Sequence, residues 1–542
     1  MDFIEWGVGM KAVLEPDVAN SWVRARRFGV PPSMIERATE RRLAGDWQGA
    51  CAAAHVDVLF DLDQVTEQFG VEVAVKLLED LTVLAPDLVR WHMPRFLEGL
   101  DTLLTRRKVV LASYGDRVGP LLYVRTPDRP SGPQRLRLEV GYVETAEHTV
   151  NWGTSRYLWD ATQSDDLRVR CGGGDRAPFF NADGSRAKLP TSDPGTADPA
   201  ARTEWLTVLQ ENDQLEDAFA AAGLALDTMQ PKRTGYHFGD VSRYFKRWPF
   251  VLSRLADEVR MLSAWDHHTR YAFRLNFYNA MVVDLGRGRP LVHGGNYMDA
   301  ADLPELPHVV AHRLPDLDLL RAGKIRPEQL HPLVRSALFP ALPEREPVPR
   351  YELNPIRVRC QGVWHLIAPR DGIISGPHTE QEHRREQALQ ALGGTASGCF
   401  RVRTAWAEGG KLPKHLRLLR KEIFGRARHG DTAGVIELLD AGVDIRVRDA
   451  SKRTLLHHIH QMDHRLLLQR LLDAGLDLEA VDHHGRTPLY VAVFEDGSAE
   501  VIKALLDAGA RVDIATSDKA ELARWIAGTK RTDLDFLLDE LT

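Results

Sequence analysis

Leu438-Leu439-Asp440-Ala441-Gly442 recurs as Leu471-Leu472-Asp473-Ala474-Gly475 and again as Leu505-Leu506-Asp507-Ala508-Gly509, at offsets of 33 and 34 residues. A second string runs in phase with it. Asp449 to Thr454-Leu455-Leu456-His457 corresponds to Asp482 to Thr487-Pro488-Leu489-Tyr490, again 33 apart. One pentamer at a fixed period marks a repeat architecture, in which each unit buries its apolar face only against its neighbours. Within a unit, Thr454 or Thr487 is placed to cap a short first helix through its hydroxyl. A second helix follows, with Leu467, Leu468, Leu471 and Leu472, or Val501, Ile502, Leu505 and Leu506, along one face. Gly442, Gly475 and Gly509 then end the second helices in the left-handed conformation that glycine tolerates.

This pattern resembles the ankyrin family, whose unit is a turn plus two antiparallel helices with a T-P-L-H-x-A signature. Counting back by 33 gives a first unit at Lys421, with Gly430-Asp431 where the family has Gly-His. Counting forward, residues 521–541 supply a last helix pair without the signature. About four units are expected over 414–542, the outer two acting as caps. The sequence departs from the family at Leu455 (for Pro), Tyr490 (for His) and Asp463 (for Gly). The resemblance implies a protein-binding surface along turn tips and first helices. It points to Arg448, Ser451, Arg453, Gln461 and Met462 in one unit, with Ala450 at the same tip. In the next it points to His483, His484, Arg486, Phe494 and Glu495, with Val481 beside them. Exposed Met462 and Phe494 next to Arg453 and Arg486 would form a hot-spot mixture. The alternative is that so short an array packs only on its own chain.

Bulk properties set the frame for the rest. At 542 residues, 44% hydrophobic and 27% charged, the chain has the composition of a soluble multidomain protein. A net charge of -6 gives no global attraction to nucleic acid or anionic membrane. The 56 Arg against 14 Lys fit a GC-rich genome, and the overall character resembles ankyrin-repeat proteins of such bacteria. Cys51, Cys171, Cys360 and Cys399 are scattered, with no C-x-x-C, which fits small buried thiols in a reducing cytoplasm. No signal peptide and no transmembrane run is expected.

Before the repeats, residues 1–105 read mainly as helix, including one capped by Ser33 and running to Leu43 and an amphipathic stretch over 63–84. Strands are expected at 108–111, 121–124 and 136–140. Residues 171–202, rich in Gly, Pro, Asp and Ser, read as a long loop or linker. Helix returns at 203–222 and 241–262, and 274–283 reads as a strand. Gln361-Gly362 is flanked by Arg357–Cys360 and Val363–Ile367, a plausible hairpin. Thr379 to Leu392 reads as a charged helix stopped by Gly393-Gly394, and Phe400 to Arg403 as a strand returning to the hairpin's sheet. The expected domains are therefore 1–170 and 203–413, both α+β, joined by 171–202, then repeats over 414–542. The fold class is α+β: a mixed body of helices and short sheets followed by an all-α ankyrin-repeat solenoid.

Motifs that carry chemistry are weak. Among His457, His458, His460 and His464, His460 and His464 have i, i+4 spacing, but the family pattern explains His457 as its signature residue and His464 as a backbone-bonding imidazole. Cys51 and His55, also i, i+4, lie in Ala-rich surroundings that favour a buried thiol over a nucleophile. Asp266-His267-His268 lacks a third ligand. Cys171-Gly172-Gly173-Gly174 and Gly286-Arg287-Gly288-Arg289 match no phosphate-binding pattern. Arg243 to Phe250 interleaves basic and aromatic residues, as strand-binding surfaces do, yet a buried aromatic seam fits better. No catalytic residue, cofactor or metal set is assigned. The expected function is a non-enzymatic cytoplasmic adaptor that binds a protein partner, with no membrane or nucleic-acid partner. The alternatives are an enzyme over residues 1–400 whose array recruits substrate or regulator, and a nucleic-acid-binding body using Arg243 to Arg247.

Overall fold

A computed structural model describes residues 15–542 except 98, 116–118, 144–148, 229–244, 246–247, 275–278, 287, 297–299, 344–354, 371–372, 395–396, 513–518, 530 and 540–542. Two compact units emerge from its contacts. The first comprises Met1–Pro127 and Arg135–Glu346, the second Asp128–Gln134 and Pro347–Thr542.

The first unit opens with helices, among them Pro32–Leu43 and Trp47–Ala53. Pro32 begins its helix where a missing N–H costs nothing, and Pro31, not Ser33, is the capping position. The stretch expected as one helix over 63–84 is two, Leu62–Phe69 and Val71–Val83, broken at Gly70, whose φ of +90° no helix accommodates. Five strands lie among and after these helices: β1 (Val56–Val58), β2 (Lys108–Ser113), β3 (Leu121–Arg125), β4 (Leu136–Gly141) and β5 (Thr149–Asn151). Of these, β2, β3 and β4 match the strands expected in sequence, whereas β1 and β5 were not expected. They form one sheet in the order β1-β4-β3-β2-β5, antiparallel at its centre and parallel at both edges.

A second sheet, β6-β9-β8-β7, is built from β6 (Ala225–Asp227), β7 (Arg270–Arg274), β8 (Asn279–Asp284) and β9 (Leu291–Asn296). The single strand expected over 274–283 thus divides between β7 and β8, which pair antiparallel. The stretch 171–202 expected as a loop ends sooner, since a helix starts at Pro199. Residues 171–198 hold no strand or helix, but Cys171, Ala177, Phe179 and Phe180 are buried. Phe179 donates its N–H to Glu204 of the helix Pro199–Glu211, so this loop is packed and not a free tether.

In the second unit, β10 (Ile356–Cys360), β11 (Val363–Arg370) and β12 (Ile373–Ser375) make an antiparallel sheet. Gln361 and Gly362 both have positive φ, as a two-residue hairpin turn requires. Phe400 to Arg403 do not return to this sheet. They lie in the helix Gly398–Glu408, because Cys399, Val402, Ala405 and Trp406 recur at helical spacing and are all buried.

Four helix pairs follow among the described residues. These are Lys414–Arg428 with Thr432–Asp440, the 3-10 helix Leu455–Gln461 with His464–Asp473, Pro488–Phe494 with Ala499–Asp507, and Lys519–Thr529 with Phe536–Asp539. Gly442, Gly475 and Gly509 end second helices at φ of +95°, +80° and +100°. One core runs from Ile356 to Leu537, so residue 413 does not separate the repeats from what precedes them. Trp406 shows the reason. It is fully buried, its indole donates to the Asp444 carbonyl, and its own carbonyl accepts from Arg448 N–H.

Candidate functional site

Two of the repeat turns are each organised by one aspartate. Asp449 Oδ1 accepts from the N–H groups of Ser451 and Arg453, and Asp482 Oδ1 accepts from those of His484 and Arg486. Asp482 Oδ2 also receives the guanidinium groups of Arg486 at 2.8 Å and Arg453 at 3.3 Å. Burial raises the Asp482 carboxyl, but the Arg486 side chain and the two N–H groups outweigh it and hold it well below the usual carboxylate range. The turn tips are thereby fixed, with His483 and His484 exposed at the second and Val481 45% exposed beside them.

The ten residues expected at a binding surface divide into groups. Arg448, Ser451, His483 and His484 lie at the tips, Arg448 spending one amino group on the carbonyls of Lys452 and Val481. Arg453 and Glu495 pair with each other at 2.9 Å, and Arg486 is committed to Asp482. Phe494 is half-buried, its ring 4.2 Å from that of Tyr490 and 4.9 Å from that of Trp525. Met462 is not exposed as expected. It is 6% accessible, because it ends the 3-10 helix and turns into the shared core. Gln461 is likewise buried and donates to the carbonyl of Ser131. Residues 128–134 belong to this unit: Arg129 pairs with Asp496 and lies over the Trp525 ring. Part of the surface expected for a partner is thus covered by the protein's own chain.

His457 and His460 are structural. His457 Nδ1 accepts from Thr454 N–H at 3.1 Å, so its Nε2 carries the proton and donates to the Arg486 carbonyl at 3.0 Å. Burial pushes His457 down to about 4. His460 is pushed to about 4 by burial too, with its Nε2 facing the Ser131 carbonyl. His464 is the half-exposed first residue of its helix and does not converge with His460 on a third ligand.

A different set does converge. Cys360 Sγ, His365 Nδ1, His378 Nε2 and Cys399 Sγ all lie within 4.8 Å of one another. Cys360 ends β10. His365 lies on β11 opposite Val358, which shares a strand face with Cys360. His378 precedes the helix Glu380–Ala391, and Cys399 is in the first turn of Gly398–Glu408. Gly398 has φ +55°, and any Cβ there would fall 2.8 Å from Cys360 Cα. Burial, then the neighbouring Cys360, push the Cys399 thiol up to about 11. The scattered positions of these cysteines gave no sign of this cluster. The available clue was a Cys and a His flanking a two-residue turn at positions that share one face.

The first unit holds a cavity of about 300 Å³. Its lining includes the arginines 26, 95, 107, 170, 274 and 313, the histidines 92, 308 and 312, and the indoles of Trp22, Trp152 and Trp248. Arg107 pairs with Glu305, Arg170 with Glu258, Arg313 with Asp318 and Arg26 with Asp316. Arg95 differs. It is 6% accessible, and its Nε and Nη1 meet no hydrogen-bond partner among the described residues. Gly29 makes room for this guanidinium, since a Cβ there would lie 2.7 Å from Nη1. Burial, then Arg90 and Arg26, push Arg95 well below its ordinary range. His308 is lowered to about 4 by burial, and His92 and His312 are lowered by the same cause. Burial pushes both Cys171, in the lining, and Cys51 up to about 12, which disfavours a thiolate nucleophile at either.

Of the basic and aromatic segment from Arg243, the residues Arg243, Tyr244, Lys246 and Arg247 lie outside the described residues. Phe245, Trp248 and Phe250 are buried, as an aromatic seam requires. No helix among the described residues is long and apolar enough to cross a membrane.

A family model of ankyrin repeats matches residues 424–516 as three copies. No family model matches the N-terminal body. Two curated proteins are similar to parts of the chain. Serine/threonine-protein kinase 12 of Arabidopsis thaliana is 35% identical over 89 residues, covering 16% of this chain and 19% of that protein. Transient receptor potential cation channel subfamily A member 1 of Homo sapiens is 35% identical over 81 residues, covering 15% and 7%. The chain therefore spans less than a fifth of the length of either relative. The C-terminal region carries ankyrin repeats, and such repeats are protein-interaction elements.

Proposed function

We propose that this chain is an adaptor that engages a protein partner through the turn tips of its repeat array. The helix pairs would stack as a short solenoid with the tips along one edge. The observation that carries this reading is the aspartate-organised turn. A tip already held by Asp482, with His483, His484 and Val481 standing out from it, loses little conformational freedom on binding. Arg453, Arg486 and Glu495 act as the frame of that tip. The test is affinity capture with the full chain and with a His483→Asp/His484→Asp variant whose fold is checked by circular dichroism. Binding of one reproducible protein at least about tenfold weaker in the variant supports the reading. Equal capture by both proteins, or no capture by the native chain, overturns it.

One observation favours a second reading for the body, an anionic small-molecule site. A buried guanidinium with two unpaired nitrogens is costly, and a bound anion would remove that cost at Arg95. The indoles in the lining suit a ligand with a flat apolar part. Inorganic phosphate and a nucleoside monophosphate are the probes. A concentration-dependent rise in the melting temperature with either supports this reading, and no shift at millimolar concentration counts against it.

A further inference from the structure

We propose that Cys360, His365, His378 and Cys399 are the four ligands of one structural zinc ion, which staples a small cap onto the start of the repeat array.

Two thiols and two imidazoles form a donor set that zinc takes in tetrahedral sites. The geometry brings all four donor atoms within 4.8 Å of one another. With Zn–N near 2.0–2.1 Å and Zn–S near 2.3 Å, a regular tetrahedron has edges of about 3.4 Å between nitrogens and about 3.6 Å between nitrogen and sulfur. The observed separations are 3.2 Å from His365 Nδ1 to His378 Nε2, 3.6 Å from Cys360 Sγ to His378 Nε2, and 3.5 Å from Cys399 Sγ to His365 Nδ1. Three edges of the polyhedron therefore stand at their metal-bound lengths.

Hydrogen bonding alone accounts for the cluster poorly. His378 Nε2 faces both a thiol and another imidazole nitrogen, and a single proton on it cannot serve both. A divalent cation at the centre satisfies all four donors at once. The balance is simple: the two thiols give up their protons to solvent, the two imidazoles bind as neutral bases, and the zinc-bound core carries no net charge. Glu382 Oε2 lies 3.8 Å from His378 Nδ1, placed as an outer-sphere carboxylate that orients the ring. All four positions are filled by protein, so the ion is structural and no site is left for substrate.

The consequence falls on the array. The ligands come from the hairpin, the segment before one helix and the first turn of the next. That last helix carries Trp406, whose indole bonds the Asp444 carbonyl in the first repeat. Ile374 N–H donates to the Asp444 side chain, so the sheet reaches the same turn. A terminal repeat needs a cap to cover its open apolar face, and here the cap is too small to hold itself together by its own core.

The test uses the full chain purified without chelator. Elemental analysis is expected to find about one zinc per chain, and cobalt exchanged into the site to give a tetrahedral visible spectrum with a thiolate-to-cobalt charge-transfer band. Cys360→Ser and Cys399→Ser should each lower bound zinc at least about tenfold, while Cys51→Ser and Cys171→Ser leave it unchanged. The cobalt spectrum of the native chain reads the site even if a ligand variant fails to fold. The proposal is overturned by native protein that takes up no metal after reduction, by a cobalt spectrum without the charge-transfer band, by equal zinc loss in the Cys51 variant, or by a Cys360–Cys399 disulfide in freshly prepared protein.

Discussion

His457 Nε2 donates to the main-chain carbonyl of Arg486, 3.0 Å away and 29 residues later in the chain. One repeat's signature imidazole thus ties down the next repeat's turn, the turn that presents His483 and His484. Its other nitrogen accepts from Thr454, so only the neutral ring serves both bonds.

This bond makes the array acid-sensitive. His457 is lowered from 6.5 to about 4 in the fold, so the unfolded chain takes up a proton first. Its contribution is complete above pH 6.5 and is lost progressively as pH falls towards 4, on the order of 3 kcal/mol at most. His457→Gln should destabilise the array at pH 7.5 and flatten the decline between pH 7 and pH 5 in urea unfolding. An unchanged slope would show that other groups carry it.

Gly475 adopts φ +80° in open space, with nothing within 4 Å of an added Cβ. Only backbone strain opposes a side chain there. Gly475→Ala is expected to cost about 1 kcal/mol, and Gly475→Asn less. Thermal denaturation reads the difference, and equal costs would mean that the left-handed conformation is not what matters.

Gly398 differs, for a Cβ there would press on the Cys360 backbone as well as strain φ. Gly398→Ala should destabilise the second unit by about 2–4 kcal/mol and reduce bound zinc in parallel. Melting curves with and without added zinc measure both effects.

Arg95→Met should raise the unfolding free energy of ligand-free protein by about 1–2 kcal/mol, since it removes a buried cation whose Nε and Nη1 have no hydrogen-bond partner among the described residues. The same variant should lose any melting-temperature shift produced by phosphate or a nucleoside monophosphate. A destabilised variant that keeps the shift would place anion binding elsewhere.

The repeats were legible because their code is local. A 33-residue period, a helical spacing of leucines and a glycine after each second helix all describe neighbours along the chain, and short-range geometry converts them directly into helices and left-handed stops. The hairpin turn at Gln361-Gly362 was legible for the same reason. The errors fell where packing overrides local preference. Gly70 breaks a periodic stretch, Phe400 to Arg403 follow their helix neighbours, and Met462 turns inward although the family pattern puts that position on the surface.

By itself, then, the sequence determined the repeat array, its turn glycines and the signature role of His457. Only the tertiary structure brought Cys360 and Cys399 together across 39 residues of chain (399 − 360), set two histidines between them, and left the Nε and Nη1 of Arg95 buried without hydrogen-bond partners among the described residues. Spacing along a chain fixes which side chains share a helix or strand face. Which faces then meet depends on the packing of whole elements, and sites of convergence are made there.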